Sequence, residues 1–354
     1  MSCIPVVIPA YEPDERLIVL LEALLDQQMG PVILVDDGSG PAYAELFIAA
    51  QELIANTHGQ SILLTHDVNR GKGAALKTAF RYVLATWSEA LGVVTADSDG
   101  QHAPACIERV KEALESNPSS LIMGARTFDG EDVPWKSRMG NRITSRVFGT
   151  LTGMHITDTQ TGLRGIPRPL MEACLELPGD RFEFEIQMLT AAQGTTPIVE
   201  VPITTIYDSK DNHQTHFNTV TDSWRIYKSL LRQPLTFALS SLVSCGADIA
   251  AFSVLCGALR GVGGYVAIST VIARLASATL NYTINSRIVF RSNRKDIVSV
   301  PRYVILAAII MALSASLATL GTIALPFVPE VAVKVVVDCF LFIVSYVAQR
   351  QLVF

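Results

Sequence analysis

The sequence predicts an α/β domain with a mostly parallel sheet, followed by an all-α domain of four membrane-spanning helices. In the first 125 residues, short apolar runs alternate with helical patterns, and the strand-like runs recur about every 30 residues. The last 120 residues hold only 13 of the 61 charged side chains, so the apolar character of the chain is concentrated there. The chain therefore divides into a globular part with net charge −10 and an apolar tail with net charge +5.

Five apolar runs are predicted as strands, at 4–8, 32–35, 62–64, 91–95 and 121–123. Helical patterns follow four of them, at 15–28, 42–55, 74–87 and 107–115. This alternation is typical of parallel strands whose connecting helices cover both faces of the sheet. Ligands bind to such sheets at the carboxyl ends of the strands.

Each predicted strand ends in a polar motif. The motifs are Pro9-Ala-Tyr-Glu12, Asp36-Asp-Gly-Ser39, Asn69-Arg-Gly-Lys-Gly73, Asp97-Ser-Asp-Gly-Gln-His102 and Gly124-Ala-Arg126. A tyrosine with an acid suits a nucleoside, and Lys72 between two glycines at a helix N-terminus suits a phosphate. Asp97 and Asp99 suit a divalent cation, because Mg²⁺ and Mn²⁺ prefer oxygen ligands. A single motif of this kind is weak evidence, but five on one edge of a sheet indicate a binding site.

Four apolar stretches in the tail are predicted to span the membrane, at about 235–259, 261–286, 303–327 and 331–349. As helices, the first three reach roughly 37 Å or more, which exceeds a hydrocarbon core of about 30 Å. Basic residues concentrate before the first span and between the second and third. The positive-inside rule therefore predicts an integral membrane protein of the cell or inner membrane, with its globular part and both termini on the cytoplasmic side.

Composition excludes several other classes of protein. The acidic globular part argues against nucleic-acid binding, which requires a basic surface. Six scattered cysteines without CxxC spacing indicate neither a zinc site nor a disulfide framework. The chain enters a strand-like run at once, so no cleaved signal peptide is expected.

The tail contains an internal repeat, since 281–290 and 345–354 share a tyrosine, an amide and a final Val-Phe at a spacing of 64 positions. It is interpreted as a duplicated helix hairpin or as chance. The amide and arginine of each copy suit either a lipid phosphate or ordinary interfacial anchoring. Asp248, Arg274 and Asp338 lie inside the spans, so we expect them to face the interior of the bundle.

At these motifs the chain resembles a known family. Val6-Val-Ile-Pro-Ala-Tyr11, Val35-Asp-Asp-Gly-Ser39, Arg70-Gly-Lys-Gly73 and Asp97-Ser-Asp-Gly-Gln-His102 resemble family 2 glycosyltransferases of the GT-A fold. Asp158-Thr-Gln-Thr-Gly-Leu-Arg164 is similar to the polyprenyl-phosphate type, which includes dolichol-phosphate mannose synthase and GtrB. The tail resembles the GtrA-like membrane domain. The implied domains are 1–220 for the glycosyltransferase, 221–234 for an interfacial helix and linker, and 235–354 for the membrane domain.

The resemblance implies roles for individual residues. The nucleoside of a nucleotide-sugar would be held by Pro9, Tyr11, Asp36, Asp37 and either Glu12 or Glu15, because the family's glutamate has two candidates here. The metal, Mg²⁺ or Mn²⁺, and the diphosphate would be held by Asp97, Asp99 and Gln101. Arg126 would face the acceptor phosphate, Asp158 would lie at the reaction centre, and Arg164 belongs to the motif assigned to substrate binding.

Further candidates come from the residues themselves. Arg138 and Arg142 recur with Arg146 at helical spacing beside an apolar stripe, which suits a helix near lipid headgroups or a solvated surface helix. We expect Arg138 to supply catalytic counter-charge and Arg142 to contact substrate. Glu185 suits a sugar hydroxyl or a helix start. His216 lies in a polar loop where an acceptor could enter, and a metal site shared with His213 is a weaker alternative.

The sequence thus predicts an inverting glycosyltransferase that moves a hexose from UDP-glucose or GDP-mannose to undecaprenyl or dolichyl phosphate at the cytoplasmic face. A phosphate monoester has a second pKa of about 6, so this acceptor is already an anion at neutral pH. Two alternatives stay open: a lipid or glycan hydroxyl acceptor, which would need a general base, and an inactive lipid-carrier transporter or scaffold. Glycine-rich faces in the tail leave homo-oligomerisation open.

Overall fold

The computed structural model describes residues 3–55, 60–126, 135–204, 221–290, 292 and 294–354. The chain forms two compact units, Met1–Ser229 and Leu230–Phe354. Within some described helices only the backbone is assigned, as at 135–138.

The first unit is built on a seven-stranded sheet. Its strands are β1 (Val6–Ala10), β2 (Val32–Asp36), β3 (Ile62–Thr65), β4 (Gly92–Thr95), β5 (Leu121–Arg126), β6 (Arg164–Pro167) and β7 (Ile198–Ile203). They lie in the order β3-β2-β1-β4-β6-β5-β7. Only β6 runs antiparallel to its neighbours β4 and β5, while the other pairs are parallel. All five predicted strands are present, and the mostly parallel sheet is confirmed.

Helices connect and follow these strands in the part of the first unit that the structure describes. They are α1 (Arg16–Asp26), α2 (Ala44–Ala55), α3 (Lys72–Thr86), α4 (Pro104–Ser116), α5 (Trp135–Thr152), α6 (Arg168–Cys174) and α7 (Glu183–Ala192). In α1 the leucines 17, 20, 21 and 24 follow the 3.6-residue period and are buried. They join Val6 and Ile8 of β1 and Val32 and Leu34 of β2 in one core. Because β1 and β2 are buried on both faces, their sequences are continuously apolar rather than alternating.

The remaining helices are α8 (Thr221–Ala258), α9 (Tyr265–Ile284), α10 (Asp296–Ala324) and α11 (Glu330–Ala348). Among the residues that the structure describes, three stretches are long and apolar enough to cross a membrane: Trp224–Ala258, Asp296–Ala324 and Glu330–Val353. The predicted second span corresponds to α9, which has 20 residues and is not one of these three, so its crossing stays a prediction. The predicted interfacial segment 221–234 lies within α8.

The internal repeat of the tail has the same local structure in both copies. Asn285–Val289 and Gln349–Val353 each form a π-helical turn. The Asn285 side-chain amide donates a hydrogen bond to Gln349 Oε1 at 3.0 Å. The rings that end the copies, Phe290 and Phe354, stack with centroids 5.2 Å apart. The two amides are therefore used to join the copies, which gives the repeat a structural role in this unit.

Ionisable side chains in the apolar helices are paired with one another. Arg274 Nε lies 3.7 Å from Asp248 Oδ2, and Lys334 Nζ lies 2.6 Å from Asp338 Oδ1. Arg274, Lys334 and Asp338 line a cavity of about 680 Å³ within the second unit. Pairing reduces the cost of placing charges in an apolar environment. Lys334 and Asp338, one helical turn apart, thus form a local ion pair.

Candidate functional site

A cavity of about 430 Å³ lies at the carboxyl ends of the central strands of the first unit. Residues from most of the polar motifs predicted at strand ends line this cavity. The predicted site residues on its lining are Pro9, Tyr11, Asp37, Lys72, Asp97, Asp99, Gln101, Arg126 and Glu185. His216 and the Arg138 side chain lie outside the described residues. The other predicted residues are not on the lining: Glu12, Glu15, Asp36, Arg142, Asp158 and Arg164.

The end of β1 places Tyr11 on the lining and Glu12 next to it. Glu12 has a left-handed backbone (φ 47°), and its N–H donates to Ser39 Oγ at 2.9 Å. A hydrogen bond with the Glu12 carboxylate raises the pKa of Tyr11. Glu15 is exposed at the start of α1 and is not on the lining. The structure thus brings Glu12, rather than Glu15, next to a residue of the cavity.

The two aspartates that follow β2 have different structural roles. Asp36 Oδ1 accepts the N–H of Ser39 at 2.9 Å, which stabilises the Asp-Gly-Ser turn, and Asp36 is not on the lining. The buried Asp37 carboxylate accepts the N–H groups of Arg70 and Gly71 at 3.0 and 2.6 Å. Asp37 therefore fixes the loop that leads into α3, in addition to lining the cavity.

His66 was not predicted as a site residue, yet it supports this loop. It is buried, its Nδ1 lies 2.7 Å from Asp37 Oδ1, and its Nε2 lies 2.9 Å from Thr78 Oγ1. His66 directly follows β3, and that position at a strand end is the signal that could have identified it. It holds Asp37 in the orientation that binds the loop.

Lys72 begins α3 and reaches two carboxylates of the cavity. Its Nζ lies 2.6 Å from Asp97 Oδ1 and 2.8 Å from Glu185 Oε1. Burial alone would lower the pKa of Lys72, but the charges of Asp97 and Glu185 outweigh it and raise that pKa above its usual range. Lys72 therefore stays charged and neutralises part of the acidic cavity.

Asp97 and Asp99 follow β4, are half-buried, and are close enough for the charge of Asp97 to act on Asp99. Burial raises the pKa of Asp97, but the charge of Lys72 and the contact with His102 outweigh this effect and lower it. The pKa of Asp99 is raised by burial and by the charge of Asp97. A cation placed at these two carboxylates would relieve that repulsion.

The residues present fit a divalent metal that binds together with a diphosphate. In the described part of the chain, no group of three His, Cys, Asp or Glu side chains could hold a metal alone. Mg²⁺ is commonly bound by one or two carboxylates plus substrate phosphates, which matches Asp97, Asp99 and a diphosphate. Gln101 lines the same cavity, and its backbone N–H donates to Asp99 Oδ1 at 3.1 Å.

Arg126 and Asp158 form a bidentate ion pair at the side of the cavity. Arg126 Nε lies 2.6 Å from Asp158 Oδ2, and Nη2 lies 3.0 Å from Oδ1. Arg126 lines the cavity, whereas Asp158 is fully buried and does not. Asp158 thus lies behind Arg126, where it sets the orientation of the guanidinium, and its role at the reaction centre stays a prediction.

Arg164 and Arg142 are not on the lining, and their contact with substrate stays a prediction. The Arg164 guanidinium is 1% exposed and donates to the carbonyl oxygens of Glu185 and Thr161 at 2.7 and 2.9 Å. It thereby fixes the backbone around Glu185. Arg142 is exposed on α5 beside the exposed Ile143, which is the surface expected of a helix near lipid headgroups.

Gly162 provides a test of the site's geometry. A Cβ at this position would lie 2.6 Å from the carboxyl carbon of Asp97, closer than real Cβ contacts. We expect Gly162→Ala to displace Asp97, to weaken Mn²⁺ binding, and to lower any metal-dependent turnover at least about tenfold, since small misplacements in a site are costly.

Isothermal titration with Mn²⁺, with and without a nucleoside diphosphate, measures this effect. Gly140→Ala on α5 is the matched control, because its Cβ would meet no heavy atom within 4 Å. Mn²⁺ affinity equal to that of the wild type in Gly162→Ala would contradict the described position of Asp97.

A mostly parallel sheet with an acidic cavity at its carboxyl edge, followed by apolar helices, is the architecture of a GT-A-like enzyme domain joined to a membrane domain. Residues 6–172 match the glycosyl transferase family 2 model, and residues 236–354 match the GtrA/DPMS transmembrane domain model. The chain therefore carries a family 2 glycosyltransferase domain followed by a GtrA/DPMS transmembrane domain, as its motifs predicted.

Two curated relatives illustrate the similarity. UDP-N-acetylglucosamine–dolichyl-phosphate N-acetylglucosaminyltransferase of Methanococcus voltae is 27% identical over 214 residues, 57% of this chain and 84% of the relative. Polyprenol monophosphomannose synthase of Mycolicibacterium smegmatis is 27% identical over 207 residues, 56% of this chain and 76% of the relative.

Among solved structures, the chain is similar to the mannosyltransferase PcManGT of Pyrobaculum calidifontis, solved in complex with GDP-Man and Mn²⁺. The identity is 16% and the TM-score 0.41, with 99% of this chain and 87% of that chain covered. A likeness this remote carries no argument about ligands.

Proposed function

We propose that this protein transfers a hexose from a nucleotide-diphosphate sugar to a polyprenyl phosphate. The observation that carries the proposal is one cavity lined by two neighbouring carboxylates, Asp97 and Asp99, and by cations that include Lys72 and Arg126. Carboxylates suit a metal bound to a diphosphate, and cations suit phosphate groups. The relatives named above, which act on dolichyl phosphate and make polyprenol monophosphomannose, support this acceptor class.

The donor would bind along the ends of β1, β2 and β4. Pro9, Tyr11 and Asp37 would hold the nucleoside, and Lys72 at the N-terminus of α3 would face the diphosphate. Asp97 and Asp99, with Gln101, would hold Mg²⁺ or Mn²⁺. That metal would supply positive charge to the diphosphate as it leaves.

Arg126 would bind the acceptor phosphate, and Asp158 would keep the guanidinium in place through two parallel hydrogen bonds. An oxygen of the acceptor phosphate attacks the anomeric carbon of the sugar and forms a new carbon–oxygen bond. The bond between the anomeric carbon and the diphosphate oxygen breaks, and its electron pair stays on the leaving diphosphate. A single displacement of this kind inverts the anomeric centre. The nucleophile is already anionic, so orientation and counter-charge supply most of the catalysis.

A hydroxyl acceptor is the second candidate, and the engaged carboxylates of the described cavity argue against it. A hydroxyl needs a general base to remove its proton. Asp97 and Glu185 are ion-paired with Lys72, and Asp37 accepts two backbone N–H groups. Asp99 would hold the metal in this proposal, so its carboxylate would not be free to act as the base.

The cytoplasmic location of the catalytic domain and of both termini is part of the proposal. It is supported by the basic residues that flank the predicted spans and by six free cysteines, of which Cys106 and Cys174 are buried. The donor sugar, UDP-glucose or GDP-mannose, and homo-oligomerisation belong to the proposal as well.

The test is a transfer assay with the full-length protein in liposomes. Radiolabelled UDP-glucose and GDP-mannose are offered with undecaprenyl or dolichyl phosphate and Mg²⁺ or Mn²⁺. We expect a labelled lipid that mild acid hydrolyses, and we expect EDTA to abolish its formation. The matched control offers the corresponding polyprenol, which lacks the phosphate. An acid-stable product, or labelling of the polyprenol, would reject the polyprenyl phosphate acceptor.

A further inference from the structure

Lys72 occupies the place between two carboxylates that come from distant parts of the first unit. Asp97 follows β4, and Glu185 lies in the first turn of α7. The Lys72 side chain is 17% exposed and the Glu185 side chain 11%. The ammonium thus forms two short ion pairs on the cavity wall, in the position of an internal counter-cation.

In this arrangement both carboxylate oxygens of Asp97 already have partners, which conflicts with their binding a metal. Oδ1 of Asp97 is paired with Lys72 at 2.6 Å, and Oδ2 lies 3.3 Å from His102 Nε2. A divalent cation bound to Oδ1 would lie within a few ångströms of the ammonium, and two cations that close repel strongly. Lys72 and a metal therefore compete for the same carboxylate oxygen.

The backbone around Lys72 is held in place, so the side chain has to move. The Gly71 N–H donates to Asp37 Oδ2 at 2.6 Å, and the Ala74 N–H donates to the Asp180 carbonyl at 3.0 Å. A Cβ at Gly73 would lie 2.6 Å from Phe184 Cβ, which shows how closely α3 packs on α7. Lysine has a flexible four-carbon stem, so its ammonium can change partners while its Cα stays fixed.

We propose that Lys72 is an exchangeable internal cation, an inference that rests on the proposed function. Before the donor binds, its ammonium neutralises Asp97 and Glu185. When the donor binds with its divalent cation, the ammonium leaves Asp97 and pairs with the diphosphate, which arrives at the N-terminus of α3. Glu185 acts as a positioning residue that keeps the ammonium at the cavity in both states.

The experiment measures Mn²⁺ binding to the full-length protein in nanodiscs, without any sugar donor. Electron paramagnetic resonance of free Mn²⁺ gives the affinity of the wild type, of Lys72→Met and of the control Arg181→Met. Arg181 lines the same cavity, but its described hydrogen bonds are made by its backbone: its N–H donates to Glu183 Oε1, and its carbonyl oxygen accepts the Phe184 N–H. Removing it changes the charge of the cavity by the same amount without freeing Asp97.

We expect Lys72→Met to bind Mn²⁺ about tenfold more tightly than the wild type, because the competing cation is gone. Arg181→Met is expected to stay within about twofold. The same Lys72→Met protein is expected to bind UDP or GDP, offered with Mn²⁺, more weakly than the wild type, since the diphosphate loses its ammonium. Unchanged or weaker Mn²⁺ binding in Lys72→Met, or an equal gain in both variants, would overturn the exchange.

Two further variants keep the test decisive. Lys72→Arg retains the charge and is expected to bind Mn²⁺ as the wild type does, within about twofold. Should the methionine variant fail to fold, Lys72→Gln removes the same charge with a polar side chain and is read by the same criterion.

The outcome is separable from that of the transfer assay, because Mn²⁺ binding is measured without sugar transfer. Suppose that Lys72→Met binds Mn²⁺ more tightly, but the wild-type protein forms no labelled lipid with any donor. The exchange then stands and the proposed function fails. If labelled lipid forms but Lys72→Met and Arg181→Met behave alike, the proposed function stands and the exchange fails.

Discussion

Asp97→Asn is expected to lower kcat/KM for sugar transfer by about 10³-fold, which corresponds to about 4 kcal/mol of transition-state stabilisation. Asn keeps the shape of the side chain but removes the charge that a metal and Lys72 both use. The Asp97 carboxylate is the group nearest to Lys72, at 2.6 Å, and it also contacts His102. Initial rates of labelled-lipid formation, measured alongside Mn²⁺ affinity, give the effect.

The matched control for this prediction is Asp67→Asn. Asp67 also follows a strand of the sheet, β3, but its side chain is exposed and is not on the cavity lining. We expect its activity to stay within about twofold of the wild type, as for most surface substitutions. Full activity in Asp97→Asn with bound Mn²⁺ would show that the metal is held elsewhere, and the assignment of the site would be lost.

Asp158→Asn is expected to have the second-largest effect, and it should change both stability and turnover. The Asp158 carboxylate is fully buried and accepts hydrogen bonds from Arg126 and from the Gln160 N–H. Removing one partner of a buried ion pair costs about 3–5 kcal/mol. For a domain of this size the melting temperature should fall by roughly 10 °C.

Turnover should fall in Asp158→Asn because Arg126 loses the bidentate contact that orients it. We expect kcat to drop by about 10²-fold while the affinity for the nucleoside diphosphate changes little, since Asp158 does not line the cavity. Thermal unfolding and steady-state kinetics of the full-length protein measure the two effects separately.

The control for Asp158→Asn is Glu172→Gln, which breaks the solvent-exposed ion pair between Glu172 and Arg168. Exposed pairs of this kind contribute about 0–1 kcal/mol, so this variant should keep its melting temperature within a few degrees. Equal destabilisation of the two variants would mean that the pair with Arg126 has no special structural importance.

The sheet could be predicted because local patterns report it directly. The strands β1 to β5 are compact apolar runs separated by amphipathic helices, and all five were predicted. Strand β6 was missed, because Arg164–Pro167 is a short segment whose first residue is an arginine. Its place between β4 and β5 depends on antiparallel pairing with residues distant in the chain, which no local pattern encodes. The same limit applies to β7, which pairs with β5.

The candidate site was predicted in its composition but less well in its geometry. The motifs at the ends of β1, β2 and β4 placed Tyr11, Asp37, Asp97 and Asp99 at one cavity, as the structure shows. Asp158 belongs to an equally clear motif, yet it lies behind Arg126. A motif identifies which residue types are present, whereas the direction of a buried side chain depends on the partner that satisfies its charge.

The amino-acid sequence by itself determined the α/β class and the apolar helical tail. It also determined which acidic, basic and glycine residues meet at the strand ends. These features arise from periodicity and from residue chemistry, both of which are local. Only the folded chain decides that Lys72 joins Asp97 to Glu185, that His66 holds Asp37, and that Gly162 leaves room for a carboxylate. Each of these contacts joins residues distant in sequence, and burial in a low-dielectric interior makes their pairing energetically necessary.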